Sequence, residues 1–403
     1  MGASPQTPPL KHRQEIQVPF AYDVVFTRDL FAVENRVLAD TLPREDGGRP
    51  RRAIAFIDSG VADRWPGLGR RIEGWCAAHP SDLVLVAPPA VFPGGEDAKN
   101  DIELQRRITK DLERHHLCRH SYVLVVGGGA VLDAVGFAAS LFHRGLRLIR
   151  IPTTVLSQSD SGVGVKNAIN FDGVKNLIGT FAPPFAVLND ILFLEKLDDR
   201  DWIGGLSESF KVAAIKDLSF IEELERLAPR LAARDLDAME RVVIRCAILH
   251  MDHIRGGGDP FELGTARPLD FGHWSAHKLE SLSGHDIRHG EAVALGVALD
   301  LHAASQMGHV TPAERDRVAS AMEQCGLALW HPLLDSRTAA GDLRILEGLE
   351  EFRQHLGGRL TLTLPKGLGR KIEIHELAPD LVEEAVAWLR NRRRSEIPTA
   401  RIP

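Results

Sequence analysis

The chain has 403 residues, of which 44% are hydrophobic and 26% are charged, and its formal net charge is -6. This is the composition of an ordinary globular protein that is long enough for two domains. The mildly acidic balance and the low aromatic content argue against a nucleic-acid partner. No uncharged apolar run reaches the roughly 18 residues of a membrane span, so membrane association is not expected either.

The N-terminus and the cysteines favour a cytoplasmic protein. Residues 1–17 are polar and contain prolines, without the apolar segment of a signal peptide, and we expect residues 1–20 to be a disordered or extended arm. The cysteines are Cys76, Cys118, Cys246 and Cys325. Because they are far apart and form no CxxC pair, neither a disulfide framework nor a zinc ribbon is expected, and a reducing compartment fits best.

The first half of the chain alternates two kinds of pattern. Short apolar runs lie at 53–57, 82–87, 121–126 and 146–151, with helix-like stretches between them such as 102–116 and 130–142. Short buried strands that alternate with helices indicate a parallel sheet. We therefore predict an α/β domain over residues 21–197.

The second half is mainly helical, with one late strand predicted at 359–364. The helical segments are 203–215, 219–231, 236–253, 273–282 and 289–307. We predict a helical domain over residues 198–388, followed by a solvated tail at 389–403. Parallel sheets bind ligands at the carboxyl ends of their strands, so the helical domain should close a cleft over that edge.

A glycine triplet, Gly127-Gly128-Gly129, follows the strand predicted at 121–126 and opens a helix. Glycine allows close backbone approach to a pyrophosphate, and the helix start offers free N–H groups. Asp133 lies in the first turn of that helix, where it can reach a ribose hydroxyl. The pattern predicts a nucleotide site, although a tight structural turn would look the same.

The segment 151–181 combines a Pro-Thr-Thr turn with glycines and two lysines. Lys166 and Lys175 supply point charges suited to phosphate, and Asn176 supplies amide donors. The plain alternative is a solvated loop that carries scattered charges.

Further along, the chain supplies a carboxylate and three histidines. Glu208 and Lys211 share one face of a predicted helix, which alone would suit a surface ion pair. His273 and His277 are four residues apart on one helical face, and His289 opens the next helix. Two imidazoles and one carboxylate form a zinc-type catalytic site with room for substrate oxygens.

These segments, taken in chain order, resemble the sugar phosphate cyclases, the superfamily of 3-dehydroquinate synthase, over roughly residues 58–296. The resemblance implies a Rossmann-like NAD domain followed by an all-α metal domain, with Zn2+ or Co2+ as the metal. The implied metal ligands are Glu208, His273 and His289. The implied cofactor-binding residues are Asp58, Glu96, Lys99, Gly128, Gly129, Asp133, Thr153, Thr154 and Lys175. The implied catalytic residues are Asp160, Lys166, Asn176, Lys211 and His277.

The resemblance also implies a reaction. NAD takes a hydride from a substrate carbinol, phosphate leaves by elimination, the hydride returns, and an intramolecular aldol step closes the carbocycle. The implied substrate-binding residues are Arg144, Lys166, Asn176, Lys211, Arg245, Arg267, Asp270, His277 and His355. Arg144 matches an arginine that reaches the neighbouring subunit's site, which implies a homodimer.

Departures from the 3-dehydroquinate synthase pattern bear on the substrate. Asp270 stands where that enzyme usually has asparagine, Trp274 stands where it has threonine, and His355 lies where a second lysine is usual. An anionic Asp270 accepts hydrogen bonds from hydroxyls and repels a carboxylate. We therefore predict a cyclase that converts sedoheptulose 7-phosphate to a valiolone-type C7 cyclitol, of the 2-epi-valiolone or ebo-cluster type, because His277 is retained.

Three alternatives remain at this point. The first is 3-dehydroquinate synthesis from the seven-carbon keto acid phosphate. The second is an NAD- and metal-dependent polyol dehydrogenase, which shares the layout but needs no lysine cradle for phosphate. The third is a non-catalytic nucleotide sensor, which an intact metal triad disfavours.

Overall fold

The fold is taken from a computed structural model that describes residues 10–43, 51–172, 174–257, 259–261, 268–355 and 358–396. The strands are β1 (Asp23–Thr27), β2 (Arg51–Asp58), β3 (Leu83–Leu85), β4 (Ala90–Phe92), β5 (Tyr122–Gly127), β6 (Arg147–Pro152), β7 (Lys166–Phe171), β8 (Val174–Phe181), β9 (Ala186–Asp190), β10 (Leu362–Pro365) and β11 (Lys371–Ile374).

The α-helices of these residues begin among the strands and continue to the C-terminus. They are α1 (Val37–Thr41), α2 (Ser59–Arg64), α3 (Leu68–Ala78), α4 (Asp97–Asn100), α5 (Ile102–Arg114), α6 (Gly129–Leu141), α7 (Asp199–Gly204), α8 (Leu206–Lys216), α9 (Leu218–Ala232), α10 (Leu236–Gly256), α11 (His273–Leu282), α12 (His289–Gln306), α13 (Pro312–Gln324), α14 (Glu347–His355) and α15 (Pro379–Glu396).

A seven-stranded parallel sheet forms the first part of the molecule. Its order is β1-β9-β6-β5-β2-β3, with β4 pairing to β2 beyond β3 along the strand. Strand β5 is buried at every position, as its unbroken apolar sequence indicates, because helices cover both faces of the sheet. Apolar clusters on the two faces hold α1 and α3 on one side and α5 and α6 on the other.

Strands β7 and β8 form an antiparallel hairpin apart from the main sheet. It packs on α6, with which β7 makes a close approach at Gly136: a Cβ added there would lie 1.9 Å from Asn167 Oδ1. The sequence pattern indicated a glycine-rich loop in this segment, not a hairpin. Its outer side chains are exposed, so the apolar alternation of a half-buried strand is weak.

Helices α7 to α13 surround a second and larger apolar core, which α15 and the small β10–β11 sheet complete. Helix α12 lies at its centre, with nearly all of its residues buried. The predicted alternation of sheet and helix in the first half and helices in the second is thus confirmed. The division at residue 198 remains a prediction; the last sheet strand ends at Asp190, and α7 begins at Asp199.

The C-terminal segment from residue 389 departs from the predicted solvated tail. Helix α15 continues through it to Glu396. Leu389 is buried in the second core, and Arg392 pairs with Glu323 on α13. The apolar spacing of Val382, Val386 and Leu389 carries the helix past the predicted boundary, because each turn still has a core contact.

Among the described residues, no helix is both long and apolar enough to cross a membrane.

Candidate functional site

Four neighbouring strands of the sheet end at one edge, and three of them end at residues that the sequence marked. Strand β2 ends at Asp58, β5 at Gly127, β6 at Pro152 and β9 at Asp190, and Gly127 is paired in register with Pro152. Asp58 caps α2 through a 2.8 Å hydrogen bond from the Gly60 amide. Burial raises the pKa of Asp58.

The glycine turn is closely packed against these neighbours. Gly128 is the N-cap of α6, so the first amides of that helix point out of the sheet edge. A Cβ added at Gly129 would lie 2.7 Å from Ser161 Oγ, and one at Gly127 would lie 3.0 Å from the Cβ of Asp58. A side chain would therefore be crowded at Gly127 and Gly129, and a close-packed glycine turn of this kind lets a phosphate approach a helix N-terminus.

A polar chain runs from α6 to the hairpin. Lys99 on α4 donates a 2.8 Å hydrogen bond to Asp133 and a second, short one to Asn176. The Asn176 amide donates to Asn170 Oδ1 at 2.9 Å, and Asn176 has a left-handed φ of 53°. Asn170 in turn donates to Glu96 Oε1 at 2.8 Å. Four of the predicted cofactor and substrate residues, Glu96, Lys99, Asp133 and Asn176, therefore belong to one network that Asn170 completes.

The segment between β6 and β7 is held from beneath by Arg150, which is completely buried. Its guanidinium donates to the carbonyl oxygens of Gly162, Gly164 and Lys166 at 3.1, 2.7 and 2.8 Å. It also donates to the side-chain Oδ1 of Asn167 at 2.7 Å. The π-helical turn Ser157–Ser161 within this segment packs on α8 and α10 of the helical part. Thr153 and Thr154 begin the same segment, at the end of β6.

Glu208, His273 and His289 meet in the helical part, on α8, α11 and α12. One ligand atom from each lies within 4.8 Å of the others, and both histidine Nε2 atoms are 3.7 Å from Glu208 Oε1. The Glu208 carboxylate is fully buried, and its Oε2 pairs with the Lys211 ammonium. Its Oε1 accepts no hydrogen bond from the described residues and faces both imidazoles. A buried carboxylate oxygen is costly to leave unsatisfied, and one that faces two imidazole nitrogens fits a divalent metal.

The charges around this cluster agree with that fit. Burial lowers the pKa of His273 well below its usual value, which keeps the imidazole neutral and able to bind a metal. Burial also opposes ionisation of His289, but Glu280 and Glu208 outweigh it and raise the pKa of His289 to about 10. Two carboxylates beside one imidazole create the negative potential that attracts a cation.

Glu280 lies directly behind the cluster, on α11, and its side chain is 3% exposed. Its Oε2 is 3.1 Å from His277 Nδ1 and 3.4 Å from His289 Nδ1, while its Oε1 accepts a 2.7 Å hydrogen bond from Lys175 of the hairpin. Glu280 was not predicted as a site residue from the sequence. Its place three after His277 and seven after His273, on the same helical face, is the spacing that could have found it.

Lys211 joins the cluster to the π-helical turn. It is 2% exposed, pairs with Glu208, and its Nζ is 3.5 Å from Asp160 Oδ2. Burial alone would lower the pKa of Lys211, but the charges of Glu208 and Asp160 outweigh it, with a further contribution from Asp270, and raise that pKa. The predicted pairing of Glu208 with Lys211 therefore occurs in the interior and not on the surface.

His250 on α10 was not predicted. It is 1% exposed, and its Nε2 makes no hydrogen bond with the described residues, although Asp160 Oδ1 is 3.5 Å away. Its Nδ1 is 2.9 Å from the carbonyl oxygen of Cys246, so the ring is fixed. The predicted substrate residue of this helix, Arg245, instead pairs with Asp217 and Glu223, and the structure does not bring it to the cluster.

Other predicted residues lie at the edges of the site or outside the described part. Lys166 begins β7 and is exposed. Arg144 is exposed after α6, with a left-handed φ of 66°. Arg267 lies outside the described residues, as does the side chain of His355 at the end of α14.

The sheet edge and the metal-type cluster thus face each other, with Asp160, Lys211 and Lys175 between them. Comparison with known proteins assigns the chain to a family. Residues 89–204 match the family model described as 3-dehydroquinate synthase N-terminal, and residues 205–344 match the one described as 3-dehydroquinate synthase C-terminal.

Full-length relatives carry two different names. The chain is 32% identical to the 2-epi-5-epi-valiolone synthase of Streptomyces albus over 96% of this chain and 91% of that one. It is 35% identical to the 3-dehydroquinate synthase of Cereibacter sphaeroides over 91% of this chain and 96% of that one.

A solved structure is similar over nearly its whole length. The 2-epi-5-epi-valiolone synthase of Streptomyces hygroscopicus subsp. jinggangensis, with NAD+ and Zn2+ bound, matches with a TM-score of 0.82 and 29% identity. The match covers 94% of this chain and 99% of that chain. The chain therefore belongs to the sugar phosphate cyclases of the 3-dehydroquinate synthase family, and its relatives include enzymes of the valiolone type. The family and the fold predicted from the order of the motifs are confirmed.

Proposed function

We propose that this enzyme is an NAD- and metal-dependent, phosphate-eliminating lyase that converts sedoheptulose 7-phosphate to a valiolone-type C7 cyclitol. The observation that carries the choice of substrate is the ring of carboxylates around Lys211. Glu208 pairs with it, Asp160 is 3.5 Å away, and the charge of Asp270 also acts on it. A substrate carboxylate entering this ring would be repelled, whereas hydroxyl groups would donate to it.

Glu208, His273 and His289 would hold the zinc ion, and the glycine turn with Asp58, Asp133 and Lys99 would hold NAD+. When bound, NAD+ supplies reversible hydride acceptance and the metal polarises a substrate oxygen. The chain's own residues do the rest. The buried ammonium of Lys211 stabilises negative charge that develops on the substrate, and Lys166 with Asn176 binds the phosphate.

His277 is the proton-transfer residue in this proposal. Its Nδ1 faces Glu280, and its side chain is half-exposed, so the other ring nitrogen is available to the cleft. An imidazole held by a carboxylate is well suited to move a proton between substrate oxygen and carbon.

We further propose a homodimer in which Arg144 enters the partner's site. Arg144 ends the turn after α6 and is exposed. Beside it, the hairpin presents exposed apolar side chains, including Leu177 and Phe181, 55% and 44% exposed. An apolar surface next to an exposed arginine suits an interface between subunits.

The test of substrate is a direct comparison. Purified enzyme with NAD+ and Zn2+ is incubated with sedoheptulose 7-phosphate and, separately, with the seven-carbon keto acid phosphate, and released phosphate is measured. We expect phosphate release from the first substrate with no net formation of NADH. The 35% identity to a 3-dehydroquinate synthase makes that activity the second candidate. Turnover of the keto acid phosphate alone would establish it and refute our proposal.

The metal site is tested by Glu208→Gln. The uncharged amide removes one ligand charge, so we expect zinc affinity to fall more than about a hundredfold and phosphate release to stop. Metal content is measured by elemental analysis after dialysis. The control is Glu350→Gln, an exposed residue paired only within α14, which should keep full zinc content. Equal zinc in both variants would contradict the assignment.

A further inference from the structure

We infer that Lys175 and Glu280 form a bridge that couples occupancy of the metal site to the order of the β7–β8 hairpin. Lys175 lies on β8, and Glu280 lies on α11, so the 2.7 Å contact between them connects the sheet part with the helical part of the chain. The inference rests on the metal site proposed above. It assigns a positioning role to Glu280, because this carboxylate contacts the Nδ1 atom of His289 and not the Nε2 atom that faces Glu208.

Glu280 is buried at the junction of the sheet part and the helical part. Its side chain is 3% exposed, and both oxygens are used, one by Lys175 and the other by His277 and His289. The carboxylate is therefore held at the junction of three side chains.

The ring of His289 lies between two carboxylates. Its Nδ1 faces Glu280 at 3.4 Å, while its Nε2 faces Glu208 at 3.7 Å. A carboxylate on one ring nitrogen fixes the imidazole so that the other nitrogen points at the metal site. A metal ion that fixes the ring of His289 therefore also restrains Glu280. Conversely, a contact that restrains Glu280 also fixes the ring of His289.

At its other end, the bridge holds the β7–β8 hairpin, which carries Lys175. Among the described residues, the hairpin is tied to the rest of the sheet part by the 2.8 Å hydrogen bonds from Asn170 to Glu96 and Asn100, by the contact of Asn176 with Lys99, and by a longer, 3.8 Å contact between Lys175 and Glu96. Most side chains of β8 are exposed, so few apolar contacts restrain that strand. The bridge to Glu280 is a short polar contact that holds β8 to the helical part.

The experiment measures hydrogen exchange in the full-length protein, with and without saturating Zn2+ as the only added ligand. In the wild type, zinc should slow exchange of the amides at 174–181 several-fold. Lys175→Gln should still bind zinc but lose that protection. Glu280→Gln should bind zinc about 10- to 100-fold more weakly, and at saturation it should also leave the hairpin unprotected. Zinc affinity is measured by competition with a chromophoric chelator.

The control is Lys371→Gln, which removes a half-exposed lysine that pairs with Glu373 far from the cleft. It should keep both zinc affinity and zinc-dependent protection. Persistent protection of the hairpin in Lys175→Gln, or unchanged zinc affinity in Glu280→Gln, would overturn the inference while leaving the metal site standing. A wild-type protein that binds no zinc would overturn both.

Discussion

At the scale of single residues, the site differs most from its sequence pattern at His250. Its buried Nε2 is the polar atom that faces Asp160 without a hydrogen bond. The sequence did not reveal it, because a lone histidine in an amphipathic helix looks like a core residue. Arg245 carried the expectation for this helix, and its charge is satisfied by Asp217 and Glu223 on the outside.

We predict that His250→Leu lowers kcat/KM for the cyclase substrate about 10- to 100-fold, because a substrate hydroxyl loses its buried partner. The loss should appear mainly in KM. Zinc content should stay at the wild-type level, which separates this effect from damage to the metal cluster. Unchanged steady-state kinetics would show that His250 is a packing residue only.

A second residue-scale prediction concerns Asp300, which is 1% exposed on α12. Burial raises its pKa to about 7, even though Trp274 Nε1 and the Gly272 amide both donate to it, at 2.8 and 2.9 Å. The folded state therefore binds this proton more tightly than the unfolded state, whose aspartate ionises near pH 4. Its contribution to the free energy of unfolding is greatest at acidic pH and falls by about 1.4 kcal/mol per pH unit up to about pH 7.

In Asp300→Asn this pH-dependent term is absent, but the amide NH2 replaces one carboxylate oxygen and opposes one of the two N–H donors, which costs about 1–3 kcal/mol. We therefore expect the variant to be less stable than the wild type at pH 5 and to approach it at pH 8. Urea unfolding midpoints at the two pH values measure this. The same stability difference at both would refute a raised pKa.

At the scale of elements, the metal-type cluster depends on how closely α11 and α12 approach. A Cβ added at Gly296 would lie 1.9 Å from the Gly272 carbonyl oxygen, immediately before His273. Gly272 itself has a φ of 79°, a conformation suited to glycine. The two glycines therefore set the distance between the helices that carry His273 and His289.

We expect Gly296→Ala to lower the free energy of unfolding by about 1–3 kcal/mol through overpacking, and to weaken zinc binding because α11 must move. The matched control is Gly74→Ala on α3, where an added Cβ meets nothing within 4 Å. That variant should gain up to about 1 kcal/mol. Thermal unfolding of both variants tests the pair, and equal effects would contradict the close-approach argument.

Elements also show how far sequence patterns reach. The buried strands β2, β5 and β6 and the long helices were predictable, because unbroken apolar runs and helical periodicity are local signals. That Glu208, His273 and His289 come together was predictable from residue type and order. The hairpin was not predicted, because its exposed side chains weaken the apolar alternation. Strand β1 and the contact of Glu280 with Lys175 were not predicted, because they join segments that are distant along the chain.

At the scale of the whole molecule, the proposed homodimer makes a complementation test possible. Arg144→Ala and Glu208→Gln should each be inactive alone. If Arg144 serves the partner's site, mixing the unfolded chains and refolding them should give heterodimers with one intact site. About a quarter of the wild-type activity per site should then return, given random pairing. No recovery, with dimers present by light scattering, would place Arg144 in its own subunit's site.

The buried guanidinium of Arg150 affects how this enzyme binds its ligands. Its guanidinium joins four oxygens along the stretch from Gly162 to Asn167, so the turn carrying Asp160 is preorganised without any bound molecule. The conformational entropy of that turn is lost during folding and not during ligand association. We therefore expect this end of the cleft to bind its ligand without rearrangement. Any movement on binding should be confined to the β7–β8 hairpin.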